Sequence, residues 1–446
     1  MPNAIQQLFK FNSRELQIVS LSAAYFFLLL CAYYILRPIR ETMGISRSAD
    51  DLPYLFLATM LVLFFLAPVI GGLVSKFERS RFIPIVYRFI SVNLVGFFLA
   101  LTFLSEQFQF YVGITFYVWL SVINMLIISL FWGFMADGIS FKDSQRLFPS
   151  IAIGGTIGAI FGGTIAQQFV DIIGSNYLFL ICIFLLELAV IVMKKIDLAF
   201  KNQPSEITIK QQLSVRFAAP AFSADTQPHF FKRALAGIQF TLSSPYILAI
   251  AGYIFFYGLT STFLYFQQGQ LIAAETSNSS QRTQLFAYID IWANILTLAF
   301  QLFISRQLLL KFGVGIILVG LPLLTLGGFI TLAILPTLSV LIIFQTLRRS
   351  LNYGLFKPAR ETLFTLIPQE QKYKAKSFVD SFVYRGGDAI GASIQKLLTF
   401  FHLGVASIAM LIVPIALIWS ILALYLGKQV KTKKSDNNAT KDSVIN

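Results

Sequence analysis

The chain has 446 residues, 56% of them hydrophobic and only 13% charged, with a mean hydropathy of +0.72. An ordinary soluble domain carries about 25% charged residues, so this composition excludes a large soluble enzyme and indicates a polytopic membrane protein. The net charge of +14 would suit a nucleic-acid binder, but its placement in loops between apolar runs makes it a topology signal, and no nucleic-acid partner is expected.

A bilayer core takes about 20 apolar residues per helix. Runs of that length lie at 17–36, 53–74, 83–104, 110–134, 148–170 and 176–193. After a polar stretch, others lie at 245–266, 284–304, 312–335, 337–356, 378–400 and 403–426. The sequence therefore predicts an all-α membrane protein with twelve transmembrane helices in two six-helix bundles. The expected division is a first bundle over 1–193, a linker over 194–244, a second bundle over 245–427 and a lysine-rich tail over 428–446. The first apolar run is full length and follows a polar stretch, so no cleavable signal peptide is expected. Cys31 and Cys182 fall inside apolar runs and read as packing residues. With only two histidines, no metal site or cofactor is expected.

Loops after even-numbered runs carry Lys76, Arg79 and Arg81, then Lys142 and Arg146, Arg306 and Lys311, and Lys372, Lys374 and Lys376. The linker adds Lys194, Lys195, Lys201, Lys210, Arg216, Lys232 and Arg233. By the positive-inside rule both termini and the linker are expected in the cytoplasm. Within the linker, Phe230-Phe231-Lys232-Arg233 could open an interfacial helix.

One loop departs from this pattern. Arg37, Arg40 and Arg47 follow the first run on the side that should be poor in basic residues. They belong to Tyr33-Tyr34-Ile35-Leu36-Arg37-Pro38-Ile39-Arg40-Glu41-Thr42, and a close copy, Tyr353-Gly354-Leu355-Phe356-Lys357-Pro358-Ala359-Arg360-Glu361-Thr362, closes the tenth run. Charged residues at such positions are costly unless they face water, a partner or an ion. Two basic, helix-breaking corners suggest a gated anion site; snorkelling of Arg37 to headgroups is the plainer alternative. Six plus six helices with a long central linker match the major facilitator architecture, in which each half is built of inverted three-helix repeats. There, runs one, four, seven and ten line the central cavity.

Other ionisable residues fall within the runs: Arg88, Glu187, Asp290, Arg348, Arg349, Arg385, Asp388 and Lys396. Arg385 and Asp388 are three apart and share a helix face. They read either as an internal ion pair or as a coupling pair in which Asp388 exchanges a proton. Glu187 and Asp290 read as helix–helix partners. Arg349, one turn before the second motif copy, reads as facing the cavity in preference to Arg348. Arg88 and Arg360 are further candidates for cavity lining or coupling. Gly154, Gly158 and Gly162 repeat every four residues, as do Gly387 and Gly391. Inside apolar helices this spacing means close packing, with room for sliding, and not a phosphate cradle. No Gly-Lys-Ser/Thr loop and no nucleophile–base set is present, so an enzyme is not expected.

Three stretches resemble the ATP/ADP translocases of plastids and intracellular bacteria. Ile35–Glu41 is similar to that family's first-helix motif. Ser129-Leu130-Phe131-Trp132-Gly133-Phe134 with Lys142–Pro149 resembles its fourth helix and the loop after it. Tyr353–Glu361 with Lys374-Ala375-Lys376 and Asp380 resembles the end of the tenth helix and the approach to the eleventh. The resemblance implies exchange of a nucleotide without hydrolysis, with its basic positions falling on Arg40, Arg349, Lys374 and Lys376; with Arg37 of the basic corner, these are the residues expected to hold an anionic, phosphorylated substrate. Guanidinium groups bind phosphate oxygens in bidentate fashion and lysine adds point charge. Tyr33 and Tyr34 are either base-stacking residues or interfacial anchors. The sequence departs from the family at Leu120 and Tyr265, where acids are usual, at Pro38, and at Arg40, where lysine is usual.

The reading is a monomeric secondary transporter in the bilayer of a bacterial inner membrane, working by alternating access on a small anionic substrate. A proton-coupled facilitator of another organic anion or amphipathic compound stays open, as does a non-transporting sensor or scaffold on the same fold.

Overall fold

The computed structural model describes residues 13–76, 78–139, 141–201, 244–366 and 378–445. All regular structure among them is helical. The longer helices are α1 (Ser13–Gly44), α2 (Leu52–Lys76), α3 (Arg79–Phe103), α4 (Glu106–Gly138), α5 (Phe141–Ile173) and α6 (Leu178–Lys201). They continue as α7 (Pro245–Glu275), α8 (Ser279–Ala299), α9 (Ser305–Ile334), α10 (Leu338–Leu351), α11 (Tyr384–Phe400) and α12 (Val405–Ile445). Nine helical stretches among the described residues are long and apolar enough to cross a membrane. Those in α6, α10 and α11 fall short, and they carry Glu187 with Lys194 and Lys195, Arg348 with Arg349, and Arg385 with Asp388 and Lys396.

The helices group into two units. Unit 1 is drawn from Met1–Arg47, Leu61–Ala224 and Asn278–Asn294, and unit 2 from Ser48–Met60, Asp225–Ser277 and Ile295–Asn446. The first part of α8 thus groups with unit 1 and its end with unit 2, while the start of α2 groups with unit 2.

In unit 1, α1 runs against α5 along a glycine seam. A Cβ on Gly154 would sit 2.4 Å from the Ala23 carbonyl oxygen, one on Gly158 2.3 Å from that of Phe27, and one on Gly162 2.3 Å from that of Cys31. All three neighbours are backbone atoms spaced by four residues, so the seam needs glycine for the helices to touch main chain to main chain. Behind the seam, α1 packs an aromatic core against α3 and α4. Tyr25 and Tyr87 share a buried hydroxyl hydrogen bond of 2.6 Å, and Phe26 stacks on Phe131 at 4.2 Å.

Unit 2 repeats the device between α7 and α11. A Cβ on Gly387 would meet the Phe255 carbonyl oxygen at 2.5 Å, and one on Gly391 would meet Thr262 and the Leu259 carbonyl at 3.1 and 3.2 Å. The first and fifth helices of each set of six are therefore fastened in the same way.

The corner expected at Pro38 is absent: α1 continues through it to Gly44. A proline removes one intrahelical donor, but interior proline is tolerated in membrane helices, where neighbouring groups satisfy the freed carbonyl. The second copy is irregular. Asn352–Phe356 forms a π turn, Lys357–Glu361 a short α-helical segment and Thr362–Leu366 a 3-10 turn. Gly313, with φ 73° and ψ 164°, breaks α9 at the start of the expected ninth run.

Candidate functional site

Unit 1 gathers the first motif into a charged cluster. Arg37 pairs with Asp290 of α8 at 3.0 Å and approaches Glu41, one turn on, at 4.0 Å. Arg40 pairs closely with Glu41, donates to Ser121 Oγ of α4 at 3.0 Å, and lies 4.9 Å over the Tyr117 ring. Tyr34 receives Arg37 over its ring at 5.5 Å. The two arginines thus face two carboxylates, and three aromatic and hydroxyl groups hold their orientation. Spacing alone places Arg37, Arg40 and Glu41 together; Asp290, read as a helix–helix partner, pairs with Arg37 of α1. Thr42 Oγ1 and Thr283 Oγ1 lie 2.9 Å apart, and Arg282 donates to the Ile45 carbonyl at 3.1 Å.

The basic group of unit 2 is built around Tyr257 of α7. Arg348, only 3% exposed, donates to Thr325 Oγ1 at 3.1 Å, Ser261 Oγ at 3.0 Å, Thr260 Oγ1 at 2.9 Å and the Tyr257 carbonyl at 3.4 Å. Among the described residues no carboxylate pairs with it. Each hydroxyl is itself oriented, since Thr325, Ser261 and Thr260 donate to the carbonyls of Leu321, Tyr257 and Phe256. Their lone pairs therefore face the guanidinium. Arg348 and Arg360 lie 5.2 and 5.9 Å from the Tyr257 ring centroid. Tyr384 stacks on that ring at 6.0 Å, and Asn352 donates to its hydroxyl at 2.8 Å. The Arg360 Nε–H is buried with no hydrogen-bond partner among the described residues.

Arg349, the expected cavity residue, is partly buried, while Arg348 takes the central place. Helical periodicity carries the signal: Leu341, Gln345, Arg348 and Asn352 are all buried and fall on one face of α10 and its π extension. Tyr257, Asn352 and Tyr384 have no such mark in the sequence. Asp388 is 4% exposed, accepts from Thr262 Oγ1 at 3.0 Å and lies 3.7 Å from Arg385, which is half exposed. Arg88 pairs with Glu187 at 3.6 Å, with both side chains exposed. Lys374 and Lys376 lie outside the described residues, as does Phe230–Arg233 of the linker.

Residues 100–430 match the family described as TLC ATP/ADP transporter. The chain belongs to that family. The chain is similar to the ADP,ATP carrier protein 1 of Chlamydia trachomatis, 22% identical over 356 residues, which are 70% of this chain and 64% of that one. The plastidic ATP/ADP-transporter of Solanum tuberosum is 21% identical over 357 residues, covering 73% of this chain and 55% of its own length. The chain thus spans between 55% and 64% of the length of these relatives. Among solved structures, an auto-inhibited POT family peptide transporter superposes with a TM-score of 0.60 at 14% identity, covering 93% of this chain and 97% of that one. A D-xylose–proton symporter gives a TM-score of 0.56 at 12% identity, covering 93% and 96%. These likenesses show that the chain shares its fold with these two transporters, and the chain is a multi-pass membrane protein. The match begins beyond the first-helix motif and spans the two later blocks. Of these, Leu130, Phe131 and Phe134 are core residues of α4, and their place is explained by packing on α1.

Proposed function

We propose that the protein exchanges nucleotides across a bacterial inner membrane, ATP against ADP, without hydrolysing them. The observation that carries this reading is the family match over residues 100–430. Carrier proteins for ADP and ATP among the relatives support it. In this reading twelve spans form two six-helix bundles, with both termini and the linker in the cytoplasm, and a monomer works by alternating access. Arg37 and Arg40, with Arg349, Lys374 and Lys376, draw and hold the phosphates. The Tyr257 group adds Arg348 and Arg360: a buried cation ringed by neutral oxygens keeps its full charge for an anion, and stacked tyrosines suit a base. The glycine seams let helices slide as access alternates.

The test is uptake of labelled ATP into proteoliposomes with and without internal ADP, with Arg40→Ala as control. Uptake that requires internal ADP and is lost in the variant is the expected result. No uptake of any nucleotide by folded protein would overturn the reading. A second reading, a proton-coupled carrier of another organic anion, is favoured by one observation, the buried Asp388 between Thr262 and Arg385.

A further inference from the structure

Asp290 sits about 16 Å along α8 at 1.5 Å per residue, and its carboxylate is 5% exposed. A charge at that depth needs an opposite charge beside it. Arg37 provides one, and Arg40 with Glu41 completes a set of two cations and two anions. A phosphate that binds Arg37 through Nη1 therefore takes the position of the Asp290 carboxylate. Glu41 is held by Arg40, one residue away on the same helix. Asp290 belongs to another helix and is the carboxylate that can leave.

We infer that Asp290 acts as an internal substitute for the substrate phosphate, neutralising Arg37 while the carrier is empty and yielding it to an incoming anion. The inference rests on the exchange reading above and adds a cause for exchange. The first part of α8 is fastened in unit 1 by the Arg37–Asp290 pair together with hydrogen bonds. Thr283 meets Thr42, Arg282 reaches the Ile45 carbonyl, and Gln284 donates to Asp171 at 2.6 Å. Among these described links the Arg37–Asp290 pair is the one between opposite charges, and a bound phosphate competes with it directly. An empty carrier keeps this clasp and does not reorient; a loaded one loses its ionic part and does. Asp290 is thus a positioning residue acting through Arg37.

The experiment reads the clasp in two ways. In a Cys31→Ala/Cys182→Ala background, Thr42→Cys with Thr283→Cys places thiols where hydroxyls now lie 2.9 Å apart, close enough for a disulfide of about 2.05 Å. With no ligand added, the full chain should crosslink readily, and Asp290→Asn should slow crosslinking about tenfold, the scale of an ordinary coupling between sites. The charge swap Arg37→Asp/Asp290→Arg should restore crosslinking without restoring ATP exchange. In proteoliposomes without the added cysteines, Asp290→Asn should take up ATP without internal ADP and show a lower KM, because the competing carboxylate is gone. Unchanged crosslinking in Asp290→Asn, or an undiminished need for internal ADP, overturns the inference. If the wild-type chain transports no ATP but Asp290→Asn still slows crosslinking, the clasp stands and the exchange reading fails.

Discussion

The Nε of Arg348 lies 3.1 Å from Thr325 Oγ1, and that hydroxyl spends its own hydrogen on the Leu321 carbonyl 2.8 Å away. The direction of the bond is therefore fixed, and the threonine serves the arginine only as an acceptor. Removing the acceptor and removing the cation should have opposite consequences. Thr325→Val leaves a buried charged N–H without a partner and should cost about 1–3 kcal/mol, seen as earlier thermal unfolding in detergent. Arg348→Met leaves Thr260, Ser261 and Thr325 still donating to their carbonyls, so the fold should hold at near its original stability. Exchange, however, should fall by about tenfold or more, because the lost group is a charge aimed at phosphate. Equal loss of stability in both variants would make Arg348 a scaffold residue.

Gly158 tests the seam. Its missing Cβ would lie 2.3 Å from the Phe27 carbonyl oxygen, with the Phe27 Cα at 2.8 Å. Both obstacles are backbone, so no side chain can turn aside. Gly158→Val should destabilise the chain by about 1–3 kcal/mol or more, whereas Gly96→Ala, which meets nothing within 4 Å, should leave stability and transport as they are. Thermal unfolding of the two variants side by side decides it.

The glycine spacing and the apolar runs were legible because each is a local periodicity: four residues bring glycines to one helix face, and a run of about 20 crosses a bilayer. Each expected run falls on a helix. The motif arginines were legible as a cluster, but not their partner, because Asp290 is distant in sequence and only tertiary packing brings it to Arg37. Pro38 read as a corner because its lost donor is a local fact, while the contacts that let α1 continue are not. Arg349 is singled out by its nearness to the second motif; Arg348 shares the buried face of Leu341, Gln345 and Asn352, a period that the motif does not reveal. Lys374 and Lys376 keep the role that the resemblance implies only as part of the proposal.

Arg88 and Glu187 form an ion pair at 3.6 Å with side chains 60% and 42% exposed. Both lie within helices of membrane length, where each neutralises the other. Glu187→Gln alone should lower stability by about 1–3 kcal/mol, below the full cost of a lone charge at the bilayer centre. The double variant Arg88→Met/Glu187→Leu should recover most of that loss, since an apolar pair needs no partner. ATP exchange by the double variant should match the wild-type chain. A double variant that folds well but does not transport would place this pair in the coupling machinery.

Asp388 separates exchange from proton coupling. Its Oδ1 accepts from Thr262 and sits beside Gly258, where a Cβ would come within 3.4 Å. Asparagine has the same shape and can keep the Thr262 bond through its own Oδ1, so Asp388→Asn removes the charge and little else. Arg385, at 3.7 Å and half exposed, can turn outward when that charge is gone. If nucleotide exchange is the activity, Asp388→Asn should keep ATP/ADP exchange within about threefold of wild type, a barrier change well under 1.4 kcal/mol. A proton gradient of either sign should leave both proteins unchanged. If the buried carboxylate instead carries a coupling proton, a gradient should drive uptake by the wild-type chain, and the variant should bind substrate without accumulating it. The gradient experiment on the wild-type chain comes first, because response to a gradient that vanishes in Asp388→Asn would replace exchange with symport.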